Sequence, residues 1–362
     1  MPTAAKIPDI PYLPNDPQEY RPAIGLIGCG AISKEHLAAY RSAGYRVEAL
    51  CDLDLAAATA RRDEFYPQAT LYRDANELLH RKEIEVVDIA THPLIRSELI
   101  EQSLLAGKHV LSQKPFVLDL ELGRRLVDLA AAQQVQLAVN QNGRWAPHFH
   151  YLRSAVQLGL IGEVQSVQMA VHWDHNWIAG TEFEQVRHVI LYDFAIHWFD
   201  LLCCFFADRQ ARQVFASFSR SGHQRAKPAL LGQAMVEYDC AQASLFFNGN
   251  TRHGPLDTTV IVGSEGTLRS RGPNLNRQQV TLSRGQTVIE PKLEGSWFPG
   301  GFHGTMGELL CAIEENREPQ NSAKNNLHSL ALCFAAVASA ESGQAVQPGS
   351  VMQLPDCGLE TL

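Results

Sequence analysis

The chain has 362 residues, 45% of them hydrophobic and 19% charged, and a net charge of −8. Such a length and balance describe a globular protein of two domains, and the negative charge excludes nucleic acid and anionic membrane surfaces as partners. The eight cysteines (29, 51, 203, 204, 240, 311, 333 and 357) form no C-x-x-C pair, and no basic segment followed by an apolar run opens the sequence. A reduced, cytoplasmic setting is therefore expected.

Prolines at 2, 8, 11, 14, 17 and 22 rule out regular helix or central strand and predict an extended arm over residues 1–21. Strands then alternate with helices. Ala23–Ile27 is an apolar strand, followed by a glycine turn and a helix to about Ala43. Arg46–Cys51, Val86–Ala90, His109–Ser112 and Gln136–Asn140 are further strands. Between them lie helices at Ser97–Ala106, stopped by Gly107, and at Glu121–Gln133, with Leu122, Leu126 and Leu129 on one face. This alternation predicts a parallel, doubly wound Rossmann sheet over residues 22–143.

Gly28-Cys29-Gly30-Ala31-Ile32-Ser33 sits between the first strand and the first helix. Gly28 suits the tight turn, Gly30 lets the backbone approach a pyrophosphate, and the helix N-terminus attracts the anion. Asp52, 22 residues after Gly30 at the end of the second strand, is placed to bind an adenosine ribose. It would repel a 2′-phosphate, so NAD is expected over NADP.

Residues 144–362 read differently. Val167, Met169, Val171 and Trp173 alternate with polar residues as a half-buried strand. Strand-like pieces follow at Gln213–Arg220, Gln233–Tyr238, Ala243–Asn248, Thr258–Val262 and Gln278–Ser283, with late helices at Thr305–Glu315 and Asn326–Ser339. An α+β domain with a large, mostly antiparallel open sheet is expected, serving substrate binding and oligomerisation. One face of that sheet needs a cover beyond its own helices, which predicts a homodimer or homotetramer.

Within that half, Val189–Ala207 is almost wholly apolar yet holds Asp193, His197 and Asp200. Spacings of i, i+4 and i+7 put the three on one stripe of a helix. Ionisable groups are costly to bury alone, so the stripe either faces a ligand cavity or forms an internal ion pair. A membrane span fails on the same three charges.

Taken together, G-C-G-A-I-S (28–33), C-D (51–52), A-G-K-H-V-L-S-Q-K-P (106–115), I-G-E-V (161–164), D-F-A-I-H-W-F-D (193–200), V-G-S-E-G-T-L (262–268) and F-H-G-T-M-G-E-L-L-C-A-I-E (302–314) resemble the glucose-fructose oxidoreductase/inositol dehydrogenase (Gfo/Idh/MocA) family over roughly residues 22–350. The resemblance implies an NAD-dependent sugar or polyol dehydrogenase. His197 would be the base, Asp193 its orienting partner, and Lys114 the hydrogen-bond donor to the reacting oxygen. It implies cofactor contacts from Gly28, Cys29, Gly30, Ala31, Ile32, Asp52, Thr91, His92, Gln113 and Lys114, and a cis Lys114–Pro115 bond. Asp200, Asp174 and Asn176 resemble substrate-hydroxyl contacts. The chain departs from the pattern at Gln113, where the family has glutamate, at Arg96, where a histidine is frequent, and at His92-Pro93.

The remaining candidates keep two readings each. Arg144 contacts substrate or cofactor, or forms an interdomain salt bridge. His303 closes over substrate or caps a helix. Trp177 stacks on a sugar ring or packs in the core. His172, Asp174 and His175 do not complete four ligands, so no metal is expected. Family relatives also include NAD-dependent glycosidases and non-catalytic NAD-binding regulators. The joint presence of Lys114, Asp193 and His197 favours a dehydrogenase acting on a small sugar or cyclitol.

Overall fold

The computed structural model describes residues 10–207 and 209–355; prolines 2 and 8 and Cys357 fall outside them. The chain forms two compact units, one built from residues 14–145 with Trp297–Leu327, the other from residues 10–13, 146–296 and 328–355. The sequence alone placed Trp297–Leu327 in the 144–362 half. Its apolar residues Phe302, Met306, Leu309 and Leu310 instead join the core of the first unit.

The first unit carries β1 (Ala23–Ile27), α1 (Ser33–Ala43), β2 (Arg46–Cys51), α2 (Leu55–Phe65), β3 (Thr70–Tyr72), α3 (Ala75–Leu79), β4 (Ile84–Ile89), α4 (Pro93–Leu105), β5 (His109–Gln113), α5 (Leu120–Ala132) and β6 (Leu137–Asn140). The strands pair in parallel in the order β3-β2-β1-β4-β5-β6. Every residue of β1 and β6 is buried, as helices on both faces require. α4 starts at Pro93, four residues before the expected Ser97, because His92 caps it and Pro93 fits its first turn. On α5 the buried stripe is Leu120, Gly123, Leu126 and Ala130; Leu122 and Leu129 are only half-buried flanks.

Residues 14–21 of the arm belong to the first unit and are tied to it. The amides of Gln18, Glu19 and Tyr20 donate to the Glu314 carboxylate at 2.7, 2.6 and 2.7 Å.

The second unit holds α6 (Pro147–Gln157), β7 (Val164–His172), α7 (Ile196–Phe206), β8 (Ala211–Ser219), β9 (Leu231–Tyr238), β10 (Ala241–Asn248), β11 (Leu256–Gly263), β12 (Thr267–Asn274), β13 (Arg277–Arg284) and β14 (Thr287–Ile289). These strands form an eight-stranded sheet in the order β14-β13-β12-β11-β7-β10-β9-β8. All neighbours are antiparallel except β7 and β10. One face is packed. The other leaves Phe215, Met235 and Phe246 exposed by 41%, 58% and 41%. α8 (Trp297–Glu314) belongs to the first unit, and α9 (Ala323–Ser342) supplies residues to both. Among the described residues no helix is long and apolar enough to cross a membrane, and no disulfide joins the described cysteines.

Candidate active site

In the first unit, four segments follow directly on strand C-termini: Gly28–Ile32 after β1, Asp52 after β2, Thr91 just after β4, and Lys114 after β5. Open parallel sheets bind ligands along this edge. Gly28 has φ +99°, and a Cβ there would lie 2.9 Å from the Ala90 and Thr91 backbone, so only glycine fits. Gly30 meets the opposite condition: a Cβ would find no atom within 4 Å. The backbone thus turns sharply and then faces open space at the start of α1, the arrangement a pyrophosphate needs.

Asp52 braces this turn. Its Oδ2 accepts the Cys29 amide at 2.6 Å and its Oδ1 the Asp54 amide at 2.8 Å. Ser33 Oγ donates to the Gly30 carbonyl at 2.6 Å, and Arg61 reaches both groups, Nε to Ser33 Oγ at 3.1 Å and Nη2 to Gly30 O at 3.2 Å. Arg61 escaped the sequence reading, because a single cation on α2 carries no motif. Burial, reinforced by Asp52, pushes the Cys29 thiol up to about 12, so the cysteine in this turn is no nucleophile.

At β5 the Lys114–Pro115 bond is cis, as the resemblance implied. The peptide before Lys114 is fixed at both ends. Gln113 Oε1 accepts the Lys114 amide at 2.8 Å, while the Gln113 carbonyl accepts Ser112 Oγ at 3.1 Å and Arg96 Nη1 at 2.7 Å. Arg96 Nη1 also donates to the Pro115 carbonyl, and Nε (3.1 Å) and Nη2 donate to the Thr91 carbonyl. His92 Nδ1 accepts the Leu94 amide at 3.4 Å as the cap of α4.

Two further sequence candidates of this unit have partners elsewhere. Buried Arg144 donates to Gln320 O and, at 2.8 Å, to Asn325 Oδ1, tying the turn after β6 to the Trp297–Leu327 segment. His303 Nε2 stands 2.8 Å from Asp16 Oδ1 of the arm. That contact is neither helix capping nor a ligand contact.

In the second unit, the stripe of Asp193, His197 and Asp200 does not lie on one regular helix. Ile190–Phe194 forms a π-turn, closed by Ala195 N–H to Ile190 O at 3.1 Å, before α7 begins at Ile196. The turn holding Asp193 is thus one residue wider than the α-helical turn expected from spacing, and π-turns recur at functional sites. His197 is buried to 9% exposure and Asp200 to 1%, with Asp200 Oδ1 accepting Ser329 Oγ at 2.8 Å.

Beyond β7, Asp174 and Asn176 are brought together. Asp174 Oδ1 accepts the Asn176 amide and side chain at 3.0 and 2.7 Å, Asn176 Nδ2 also donates to Asn250 Oδ1 at 2.6 Å, and Asn176 Oδ1 accepts the Arg225 amide at 2.6 Å. Burial opposes ionisation of Asp174. The Asn176 donors and the positive Arg252 and Arg225 outweigh it and hold the carboxyl below its usual range. Beside this knot, burial pushes His175 down to about 4 against the pull of Asp174 and Asp193. Its neutral Nδ1 accepts the Trp177 indole N–H at 3.2 Å, and its ring stacks on Phe194 at 4.1 Å. Trp177 is thereby pinned while 53% exposed, which excludes the core reading. Among the described residues no group of three His, Cys, Asp or Glu is close enough to hold a metal ion.

Comparison with known proteins sharpens what this arrangement does. Residues 23–141 match a family profile described as an oxidoreductase family with an NAD-binding Rossmann fold, and residues 149–269 match the GFO/IDH/MocA C-terminal domain. The chain is 30% identical over 342 residues to a D-apiose dehydrogenase of Paraburkholderia graminis, covering 89% of this chain and 88% of that protein. It is 25% identical to an inositol 2-dehydrogenase of Rhizobium meliloti, covering 87% and 96%. Among solved structures, an oxidoreductase from Agrobacterium radiobacter in complex with NAD+, L-tartaric acid and magnesium has the same fold. Its TM-score is 0.81 at 21% identity, over 91% of this chain and 99% of that one.

Proposed function

Because the chain belongs to the Gfo/Idh/MocA family of NAD-binding oxidoreductases, whose named relatives act on sugars and polyols, we propose that it oxidises a secondary or anomeric hydroxyl of a sugar or cyclitol by hydride transfer to NAD. The observation that carries this reading is the edge of the parallel sheet, where the glycine turn, Asp52, Thr91 and Lys114 follow successive strand ends. Bound NAD supplies the hydride acceptor. Gly28–Ile32 would hold its pyrophosphate and Asp52 its adenosine ribose, while Thr91, His92, Gln113 and Lys114 would line the nicotinamide end.

The residues' own chemistry fits the reaction. His197 takes the hydroxyl proton as hydride leaves the same carbon, since imidazole has the right basicity near neutrality. Asp193 stabilises the imidazolium. Lys114 donates to the oxygen that passes through alkoxide character before becoming a carbonyl. Asp174 and Asn176 meet other hydroxyls, and the pinned Trp177 offers a flat apolar face to a sugar ring. Asp200 and Arg144 have partners within their own units, Ser329 for the first and Gln320 and Asn325 for the second.

The test is NADH formation measured across D-apiose, myo-inositol, aldoses and sugar acids. Turnover of at least one such polyol with net NADH accumulation is the expected result. Release of a free sugar from a glycoside with no net NADH would mark a glycosidase instead, and NAD binding without turnover of any probe a regulator.

A further inference from the structure

Arg96 is 2% exposed, and its guanidinium donates four hydrogen bonds to backbone carbonyls. Two end on Thr91 O, one on Gln113 O and one on Pro115 O. The last two carbonyls flank Lys114, so one rigid side chain spans the residue proposed to meet the reacting oxygen. We propose that Arg96 is a positioning residue for hydride transfer, locking the Lys114–Pro115 turn to the loop at Thr91. This rests on the role given to Lys114 above.

The physical case comes from shape and charge. A guanidinium is planar, permanently charged, and offers five N–H groups in fixed directions, so it can join three carbonyls from two loops at once. Charge-assisted bonds of this kind are about twice as strong as neutral ones. A lysine at the same place presents its donors from a single point and cannot reach both loops. Without the guanidinium, three carbonyls lose a donor, the Gln113 carbonyl, which also accepts Ser112 Oγ at 3.1 Å, among them. The turn would then relax, and a displacement of about 1 Å at a reacting group costs on the order of 10²-fold in rate. Arg96 stands on the first turn of α4, yet these bonds leave the helix for the two segments that carry the proposed nicotinamide contacts.

Arg96→Ala and Arg96→Lys, in the full-length protein, test this. On whichever of D-apiose and myo-inositol the wild type oxidises, Arg96→Ala is expected to lose about 10²-fold in kcat, with a smaller change in KM. Millimolar guanidinium chloride should restore part of that loss, and Arg96→Lys should stay impaired. A readout free of turnover is the emission of bound NADH. Arg96→Ala should still bind NADH by calorimetry but lose the fluorescence change that an ordered nicotinamide gives. Folded Arg96→Ala with wild-type kcat and wild-type NADH emission would overturn the proposal, as would a lowered melting temperature as the only effect. If Arg96→Ala does not fold, wild-type kcat in folded Arg96→Lys overturns it equally. A wild type inactive on every probe defeats the functional reading, and the NADH emission then decides the role of Arg96 alone.

Discussion

His36 Nδ1 and Asp88 Oδ2 lie 2.7 Å apart, and both side chains are wholly buried. Asn140 Nδ2 stands 3.1 Å from His36 Nε2, while Thr305 Oγ1 donates to Asn140 Oδ1 at 3.0 Å. In that order Nε2 accepts from Asn140 and Nδ1 donates to Asp88. Tyr40 donates to the same Asp88 oxygen at 2.7 Å. The chain of bonds thus stitches α1, β4, β6 and α8 through the core of the nucleotide-binding unit. His36→Leu removes one donor from a buried carboxylate and is expected to cost roughly 2–3 kcal/mol. A lowered urea midpoint with unchanged kcat in the folded fraction is the outcome to look for.

The proposed catalytic groups separate by kinetics. His197→Ala is expected to lower kcat by about 10²–10⁴ while NAD still binds. Asp193→Asn should give a smaller loss, and Lys114→Ala should lose roughly 3–4 kcal/mol of alkoxide stabilisation. Retained kcat in folded His197→Ala would end the assignment of the base.

Cofactor choice should follow Asp52. Its carboxylate is held by the Cys29 and Asp54 amides, so it cannot swing away from a 2′-phosphate without breaking the glycine turn. A preference for NAD of at least about tenfold in kcat/KM is expected. Asp52→Ser combined with Leu53→Arg should move the preference toward NADP. Equal kcat/KM for the two cofactors in the wild type would contradict this account.

Asp257 on β11 gives a pH dependence of stability. It is fully buried, its Oδ2 meets no partner, and Oδ1 has only Gln278 Nε2 at 3.3 Å. Burial raises its pKa from 3.8 to about 7. The folded protein therefore holds a proton that the unfolded chain has released. Stability from this group is full below about pH 4 and falls as pH rises through 7, by up to about 1.4 kcal/mol per pH unit. Asp257→Asn should raise the melting temperature at pH 8 and leave it nearly unchanged at pH 4. An equal effect at both values would show that the carboxyl ionises freely in the fold.

Self-association is expected through the open face of the eight-stranded sheet. Phe215 and Met235 are paired neighbours on β8 and β9, with Phe246 on the adjoining β10. Contiguous exposed apolar side chains of this kind mark interaction surfaces. Light scattering should give a dimer or tetramer mass, and Met235→Lys should shift it toward monomer. A monomer at micromolar concentration in the wild type would defeat the idea.

How much of this was readable in advance depended on the environment of each segment. β1 and β2 were placed to the residue because continuous apolar runs between turn signals leave little choice. α6 was missed since it buries His148 and Arg153, which spoil an amphipathic pattern. β12, sequence TLRSRGPN, was missed because its inward residues Ser270 and Gly272 are small or polar. The glycine turn, Asp52 and Lys114 were legible as local motifs. The four carbonyl bonds of Arg96 and the pinning of Trp177 by His175 were not, because both join segments that only the fold brings together. Nor does a one-dimensional period reveal the π-turn, which differs from an α-turn by a single residue in hydrogen-bond register.

The return of Trp297–Leu327 to the first unit has a consequence for biosynthesis. The parallel sheet is fully translated by Asn140, yet Phe302, Met306, Leu309 and Leu310, which complete its core, emerge much later. At about 5–20 residues per second, the stretch from Trp145 to Leu327 takes roughly ten to forty seconds to synthesise. Throughout that interval the nascent nucleotide-binding unit exposes the apolar surface meant for α8. The protein's window of vulnerability is therefore on the ribosome, where holding chaperones would act on a nearly finished sheet.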